Sequence, residues 1–254
     1  MTSSTPNRVR IGIPWRTSQE EAEQNRPKIQ NYEEAVQEAG AEAVLLPLSD
    51  PAGLAGLLDG LDGFLLPGSP ADVEPEEYGA RNTGLSEPAD KPRERTDWVI
   101  LEHALRERKP VLAICYGCQS LNVYLGGTLV QDVRWETGTG VAHRRKDITP
   151  EPKDDPEHEV KFLAGSRLAN LNGRDQGMVN SSHHQSVLKP GRELKITGRS
   201  SDGVVESVEW TGDTNWVVGV QWHPERMKGD PLAQSLFSDL VAAVETHVRS
   251  TAKQ

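Results

Sequence analysis

The stretch that most restricts this chain runs from Pro110 to Asp132, PVLAICYGCQSLNVYLGGTLVQD. Val111 to Ile114 is an apolar run of strand length, and from Gln119 onward Leu121, Val123 and Leu125 support a helix closed by Gly126 and Gly127. Cys115 therefore sits where a buried strand turns into a helix. Ala113 and Gly117, two positions to either side, are the small residues a sharp turn needs, in the small-x-nucleophile-x-small arrangement of a nucleophile elbow. Such a turn lifts the sulfur above the sheet edge, and the helix N-terminus beside it favours the thiolate. The same residues also read as an inert core cysteine. Partners elsewhere in the chain decide between the two.

The rest of the chain sets this elbow in an α/β context. Val9, Ile11 and Ile13 alternate as a first strand, and Ile29, Tyr32, Val36 and Ala39 keep helical spacing up to a stop at Gly40. Val44 to Leu46 and Phe64 to Leu66 read as buried strands, with a short helix around Leu54, Leu57 and Leu58 between them. A helix carrying Trp98, Leu101 and Leu105 leads into the elbow strand. This alternation predicts a parallel sheet with helices on both faces. Strands at Val160 to Phe162, Gly177 to Asn180, Leu194 to Thr197 and Val204 to Trp210 follow, the last after the turn dipeptide Asp202-Gly203, so an antiparallel section is expected. Trp216 to Trp222 reads as a last core strand and Leu232 to Val248 as a closing helix. One domain over residues 8–250 is expected, behind a disordered leader at residues 1–7.

Charge and composition exclude several functions. The net charge of −10 leaves no basic surface for nucleic acid. Neither a signal peptide nor a run of transmembrane length is visible, so a cytoplasmic protein without membrane contact is expected. The two cysteines, Cys115 and Cys118, form a C-x-x-C that could be a redox pair or half a zinc site. No second ligand pair lies at zinc spacing, and neither a metal nor a cofactor is expected. Residues 134–157 are polar and charged, and read as an exposed loop, with a lid over the pocket as the other reading.

A reactive cysteine needs a base and a group that orients the base. The last core strand ends in GVQWHPE, where His223 leaves the sheet, Pro224 stops the strand, and Glu225 can fold back onto the imidazole. His183 and His184 in VNSSHHQ are the competing histidines and can line the pocket. The loop LPGSPADVEPEEYG follows a parallel strand at its C-terminal end, where open α/β sheets place ligand contacts.

These four segments, in this order along nearly the whole chain, resemble the class I glutamine amidotransferase-like family, in its free-standing branch of gamma-glutamyl-gamma-aminobutyrate hydrolases. The resemblance implies a flavodoxin-like α/β fold and a triad of Cys115, His223 and Glu225. It further implies an oxyanion hole from the backbone of Tyr116, Gly68 and Ser69, and contacts from Gln119, Asn180, Ser181, Ser182 and His183 to the two ends of a gamma-glutamyl group. The chain departs from the branch at Tyr116, where relatives often carry arginine; if that arginine helps select an acidic leaving amine, selectivity differs here. The implied activity is hydrolysis of a small gamma-glutamyl amine, as in polyamine or gamma-aminobutyrate metabolism. A glutaminase subunit serving a separate synthase is the rival enzyme reading, and a non-catalytic binding protein on the same fold is the third. The partner expected is a small-molecule gamma-glutamyl substrate, with a homodimer left open.

Overall fold

Short, continuous apolar runs can be buried on both faces, so they become the interior strands of a parallel sheet. The computed structural model describes residues 8–212 and 214–252, the side chains of 51 and 52 excepted, and the leader expected at residues 1–7 lies outside that span. In chain order the elements are β1 (Arg10–Pro14), α1 (Ser18–Ala22), α2 (Pro27–Glu38), β2 (Glu42–Leu46), α3 (Pro51–Leu58), β3 (Gly63–Leu66), α4 (Lys91–Glu107), β4 (Val111–Ile114) and α5 (Tyr116–Tyr124). There follow β5 (Thr128–Val130), α6 (Val133–Thr137), β6 (Glu157–Phe162), α7 (Arg167–Asn172), β7 (Gln176–Asn180), β8 (Ser186–Lys189), β9 (Leu194–Ser200), β10 (Val205–Trp210), β11 (Val217–Val220) and α8 (Pro231–Thr251).

The main sheet has nine strands in the order β2-β1-β3-β4-β11-β10-β9-β6-β7. The first five are parallel neighbours and the remaining four continue the sheet antiparallel, while β5 and β8 form a separate two-stranded antiparallel pair. The expected α/β sheet with an antiparallel section is thus present. The short elements α1, α6 and α7 and the β5–β8 pair are additions to the sequence reading. Their few apolar positions give no clear period, and tertiary contacts decide their form.

Two apolar layers cover the two faces of the sheet. One contains Ile29, Tyr32 and Val36 of α2 with Leu232, Leu236, Leu240 and Val244 of α8. The other contains Leu54 and Leu58 of α3, Ile100, Leu101 and Ala104 of α4, and Leu121 of α5. Helices α3, α4 and α8 begin alike, with an aspartate at the N-cap (Asp50, Asp90, Asp230) accepting a backbone N–H three residues on and proline in the first turn.

The arrangement of β3, β4 and β11 matters most for function. Val217 to Val220 pair in parallel with Val111 to Ile114, and Phe64 to Leu66 pair with Val111 to Ala113 on the other side. Three adjacent parallel strands therefore end together, and the residues that follow them emerge at one place. Arg93 of α4 locks the loops there: it is fully buried, donates to the carbonyls of Trp15, Arg16 and Pro67, and pairs with Asp97 at 2.7 Å.

Candidate active site

Cys115 follows the fully buried β4 and precedes α5, with φ 52° and ψ −107°. An L-residue rarely adopts that backbone, and it persists only where the surroundings over-determine it. They do so here. The Cys115 N–H donates to the Val220 carbonyl at 2.8 Å, and its own carbonyl accepts from Gln119 at 3.1 Å. At Gly117 a Cβ would overlap the Leu66 carbonyl oxygen, so the turn can close against β3 only with glycine there. The elbow read from the sequence is therefore present, with its Cys115 side chain reaching a pocket.

The two cysteines differ. Cys118 points into the core against Gly219, and burial pushes its thiol far above the ordinary range. Both cysteines are free. Any thiol chemistry therefore belongs to Cys115.

His223 leaves β11 next to the elbow. Its Nδ1–H donates to Glu225 Oε1 at 2.8 Å, the two residues being joined through Pro224 in a short 3-10 turn, Pro224–Arg226. Asn180 clamps the same residue by the backbone: its Oδ1 accepts the His223 N–H at 2.8 Å and its Nδ2 donates to the His223 carbonyl at 2.9 Å. Burial alone would drive the proton off this imidazole, but the Glu225 charge and the Cys115 sulfur outweigh it and push its pKa up to about 9. Burial opposes ionisation of Glu225 too, yet His223 and then Arg226 hold its carboxyl below the usual range. Arg226 reaches Glu225 at 3.3 Å and Asp155 at 2.8 Å.

Gly68 completes the contact. A Cβ there would meet His223 Cε1 at 2.8 Å, Tyr32 Oη at 3.0 Å and the Cys115 Cβ at 3.4 Å. The Gly68 N–H, however, donates to Tyr32 Oη at 3.1 Å. That amide is therefore engaged with Tyr32. The Tyr116 N–H, in the first turn of α5, has no intrahelical acceptor. The Tyr116 side chain turns away into the core, its ring 4.9 Å from the Arg93 guanidinium.

The pocket above Cys115 holds about 380 Å³, within the roughly 300–1,000 Å³ usual for small-molecule sites. Of the residues expected there, Ser69, Cys115, Gln119, Ser182 and His183 line it. Gln119 is held by Nε2 donation to the Gln185 carbonyl and Gln221 Oε1. Asn180 and Ser181 do not line it: Asn180 holds His223, and the Ser181 hydroxyl donates to the His143 carbonyl at 2.9 Å. The pocket also takes in Asp72, Glu87, His184 and Gln185, and Arg144, Arg145, Lys146 and Glu151 from the charged segment.

The reading of residues 134–157 as simply exposed is thus corrected. Arg145 and Lys146 are exposed, but His143 is buried, and backbone bonds join the segment to the β7–β8 loop, His183 N–H to His143 O at 2.8 Å and Ser181 N–H to Pro156 O at 2.8 Å. Charge density hid this role, since a run such as HRRK looks the same on a pocket wall as in solvent.

Behind the wall lies a second polar cluster. His143, His158 and Glu206 are buried, with one ligand atom from each lying within 4.8 Å of the others, an arrangement able to hold a metal ion among the described residues. No sequence spacing announces it, because its members come from separate segments.

Comparison with known proteins gives a consistent result. Residues 11–225 match the family described as peptidase C26. Gamma-glutamyl-gamma-aminobutyrate hydrolase of Escherichia coli (strain K12) is 35% identical over 224 residues, covering 86% of this chain and 87% of that protein. Protein NtpR of Enterococcus hirae is 34% identical over 196 residues, covering 77% and 80%. Among solved structures, a candidate GMP synthase subunit from Thermoplasma acidophilum superposes with a TM-score of 0.65 over 97% of this chain and 98% of that one, at 14% identity. That likeness concerns the fold.

Proposed function

The chain belongs to the peptidase C26 family of glutamine amidotransferase-like amide hydrolases, and from that premise we propose that it hydrolyses the gamma-glutamyl amide bond of a small gamma-glutamyl amine, with Cys115 as nucleophile. The observation that carries the reading is the meeting of a strained Cys115, the His223–Glu225 pair and a pocket at one strand end.

In this reading the Cys115 thiolate attacks the side-chain carbonyl carbon of the glutamyl group. The oxygen that becomes negative is held by the Tyr116 and Ser69 amides; one such donor is worth on the order of 100- to 1000-fold in rate. His223, kept protonated by Glu225, gives its proton to the departing amine nitrogen, and the C–N bond breaks to leave a thioester. Water then enters, His223 takes one of its protons, and the thioester opens to glutamate and free Cys115. In the same reading Gln119 and Ser182, which line the pocket, hold the glutamyl end. Lys146 pairs with no carboxylate among the described residues, and Arg145, which donates to the Lys153 carbonyl at 3.1 Å, reaches carboxylates only at 3.7 Å (Glu151) and 3.9 Å (Asp155). Two cations lightly engaged at the pocket mouth favour a leaving amine that carries a carboxylate, as gamma-aminobutyrate does.

Glutamate release from a panel of gamma-glutamyl-gamma-aminobutyrate, neutral and cationic gamma-glutamyl amines, gamma-glutamyl dipeptides and glutamine tests this. The expected result is turnover of the acidic amide well above glutamine, and loss of at least about 1000-fold in Cys115→Ala. Substantial turnover by Cys115→Ala would overturn the nucleophile. Activity on glutamine alone, or only with a second protein present, would point to a glutaminase subunit.

A further inference from the structure

Four buried side chains from four different segments converge behind the pocket wall. His143 comes from the charged segment, His158 from β6, His183 from the β7–β8 loop and Glu206 from β10. Around Glu206 Oε1 stand His158 Nε2 at 3.1 Å, His143 Nδ1 at 3.5 Å and His183 Nε2 at 3.6 Å.

The far sides of two rings fix where their protons are. His143 Nε2 is 2.9 Å from the Asp202 carboxylate and His183 Nδ1 is 2.9 Å from the Gln185 carbonyl. Both acceptors demand a proton, so in the neutral rings those nitrogens donate and the lone pairs of His143 Nδ1 and His183 Nε2 turn inward. These two atoms have no hydrogen-bond partner, and neither has Glu206 Oε2. His158 Nε2 hydrogen-bonds Glu206 Oε1, but the two lone pairs and the second carboxylate oxygen still face one another in the core and repel unless a cation, a proton on an imidazole or a metal ion, lies between them. An imidazole held from behind by a carboxylate or carbonyl is the usual setting of a metal-bound histidine.

We propose that His143, His158, His183 and Glu206 form a closed structural site for a divalent transition metal of the zinc class. Three nitrogens and one carboxylate oxygen suit zinc, whose bonds of about 2.0–2.1 Å place tetrahedral ligands about 3.3 Å apart. The three distances to Glu206 lie near that spacing, while the set within 4.8 Å of one another is His143, His158 and Glu206, so His183 draws in as the ion binds. The ligands are nearly inaccessible, which leaves no open position for substrate. The ion holds the pocket wall to the sheet. His183 lines the pocket, His143 precedes Arg144, Arg145 and Lys146, and the Glu206 carbonyl accepts the Gln221 N–H two residues before His223. The site stands independently of the proposed reaction, since its readout is bound metal.

The test uses the full chain carrying Cys115→Ala, so that the pocket thiol does not compete for the ion. Elemental analysis after purification without chelator is expected to give about one metal ion per chain. The chelator-stripped protein should regain it from zinc chloride with a rise in Tm, and Asp202→Asn should weaken zinc affinity by about 10- to 100-fold through its hold on His143. Glu206→Gln and His183→Ala should each lose the ion, the second serving where the first does not fold. Absence of metal together with no Tm response to zinc, manganese or nickel would overturn the proposal, as would full metal content in His183→Ala.

Discussion

The two sides of the pocket come from different architecture. On one side Gly68, Cys115 and His223 follow β3, β4 and β11, three neighbours whose parallel ladder sets the spacing of their ends before any side chain is considered. On the other, Arg144 to Lys146 and Ser182 to Gln185 lie on loops joined by scattered hydrogen bonds and partly buried ion pairs, such as His184 to Asp72 at 3.1 Å and Arg144 to Asp132 at 3.2 Å. A ladder fixes many atoms at once. Scattered polar contacts fix a few atoms each and depend on protonation and salt. In the proposed reaction the chemistry therefore sits on the rigid side and the selection of substrate on the adaptable one.

The largest break in this comparison comes from Glu225→Gln. The amide still fills the space beside His223 but removes the charge that helps hold its proton. Turnover is expected to fall on the order of 10,000-fold, as when the orienting carboxylate of a triad is neutralised. The pH profile carries the sharper signature. The ion pair in the wild type is lost as pH rises through about 9, so the alkaline limb of activity should lie there and move lower in the variant. Stability follows the same sign. A His223 pKa raised above its ordinary 6.5 gives stabilisation that is complete below 6.5 and lost as pH rises through about 9. The lowered Glu225 acts oppositely, stabilising above the ordinary carboxylate range and ceasing to as pH falls through its folded value. Tm against pH should therefore fall less steeply between 6.5 and 9 in Glu225→Gln than in the wild type. Equal slopes would mean that the carboxylate does not hold that proton.

Gly68→Ala probes the same side by shape alone. The added methyl would lie 2.8 Å from His223 Cε1 and 3.4 Å from the Cys115 Cβ, so base and sulfur must move apart. Displacement by even about 1 Å can cost on the order of 100-fold in rate, while overpacking costs about 1–3 kcal/mol of stability. A kcat near the wild-type value, with the fold intact, would show that this side adapts as readily as the other.

The same contrast explains what could be read from the sequence. Cys115 was legible because a strand, a turn and a helix are local patterns, and Gly117 marks the close approach to Leu66 that only glycine permits. His223 and Glu225 were legible because Pro224 binds them into one short unit. Asn180 was not: a polar residue before Ser-Ser looks like a substrate contact, and only the fold shows both ends of its amide spent on the His223 backbone. Tyr116 likewise stands where selectivity was expected, yet its ring packs under Arg93, a partner 23 positions earlier in the chain. The residues missed, Asp72 and Arg144 to Lys146, gain their role from assembly over long separations, whereas His184 lines the pocket as its sequence allowed.

The smallest effect belongs to the adaptable wall. Arg145→Ala combined with Lys146→Ala removes two exposed cations without touching Cys115 or His223, so the reacting atoms keep their positions. Exposed charge pairs are worth about 0.2–1 kcal/mol each, which for two cations makes a rise in KM of about 2- to 30-fold for a leaving amine bearing a carboxylate. The kcat should stay within about twofold, because an interaction made equally in ground and transition states changes KM alone. A neutral leaving amine should show no change, and added salt should narrow the gap between variant and wild type, since it screens a contact the variant has already lost. A fall in kcat for both amines would place these cations with the rigid side, and the division between chemistry and selection would then have to be drawn elsewhere in the pocket.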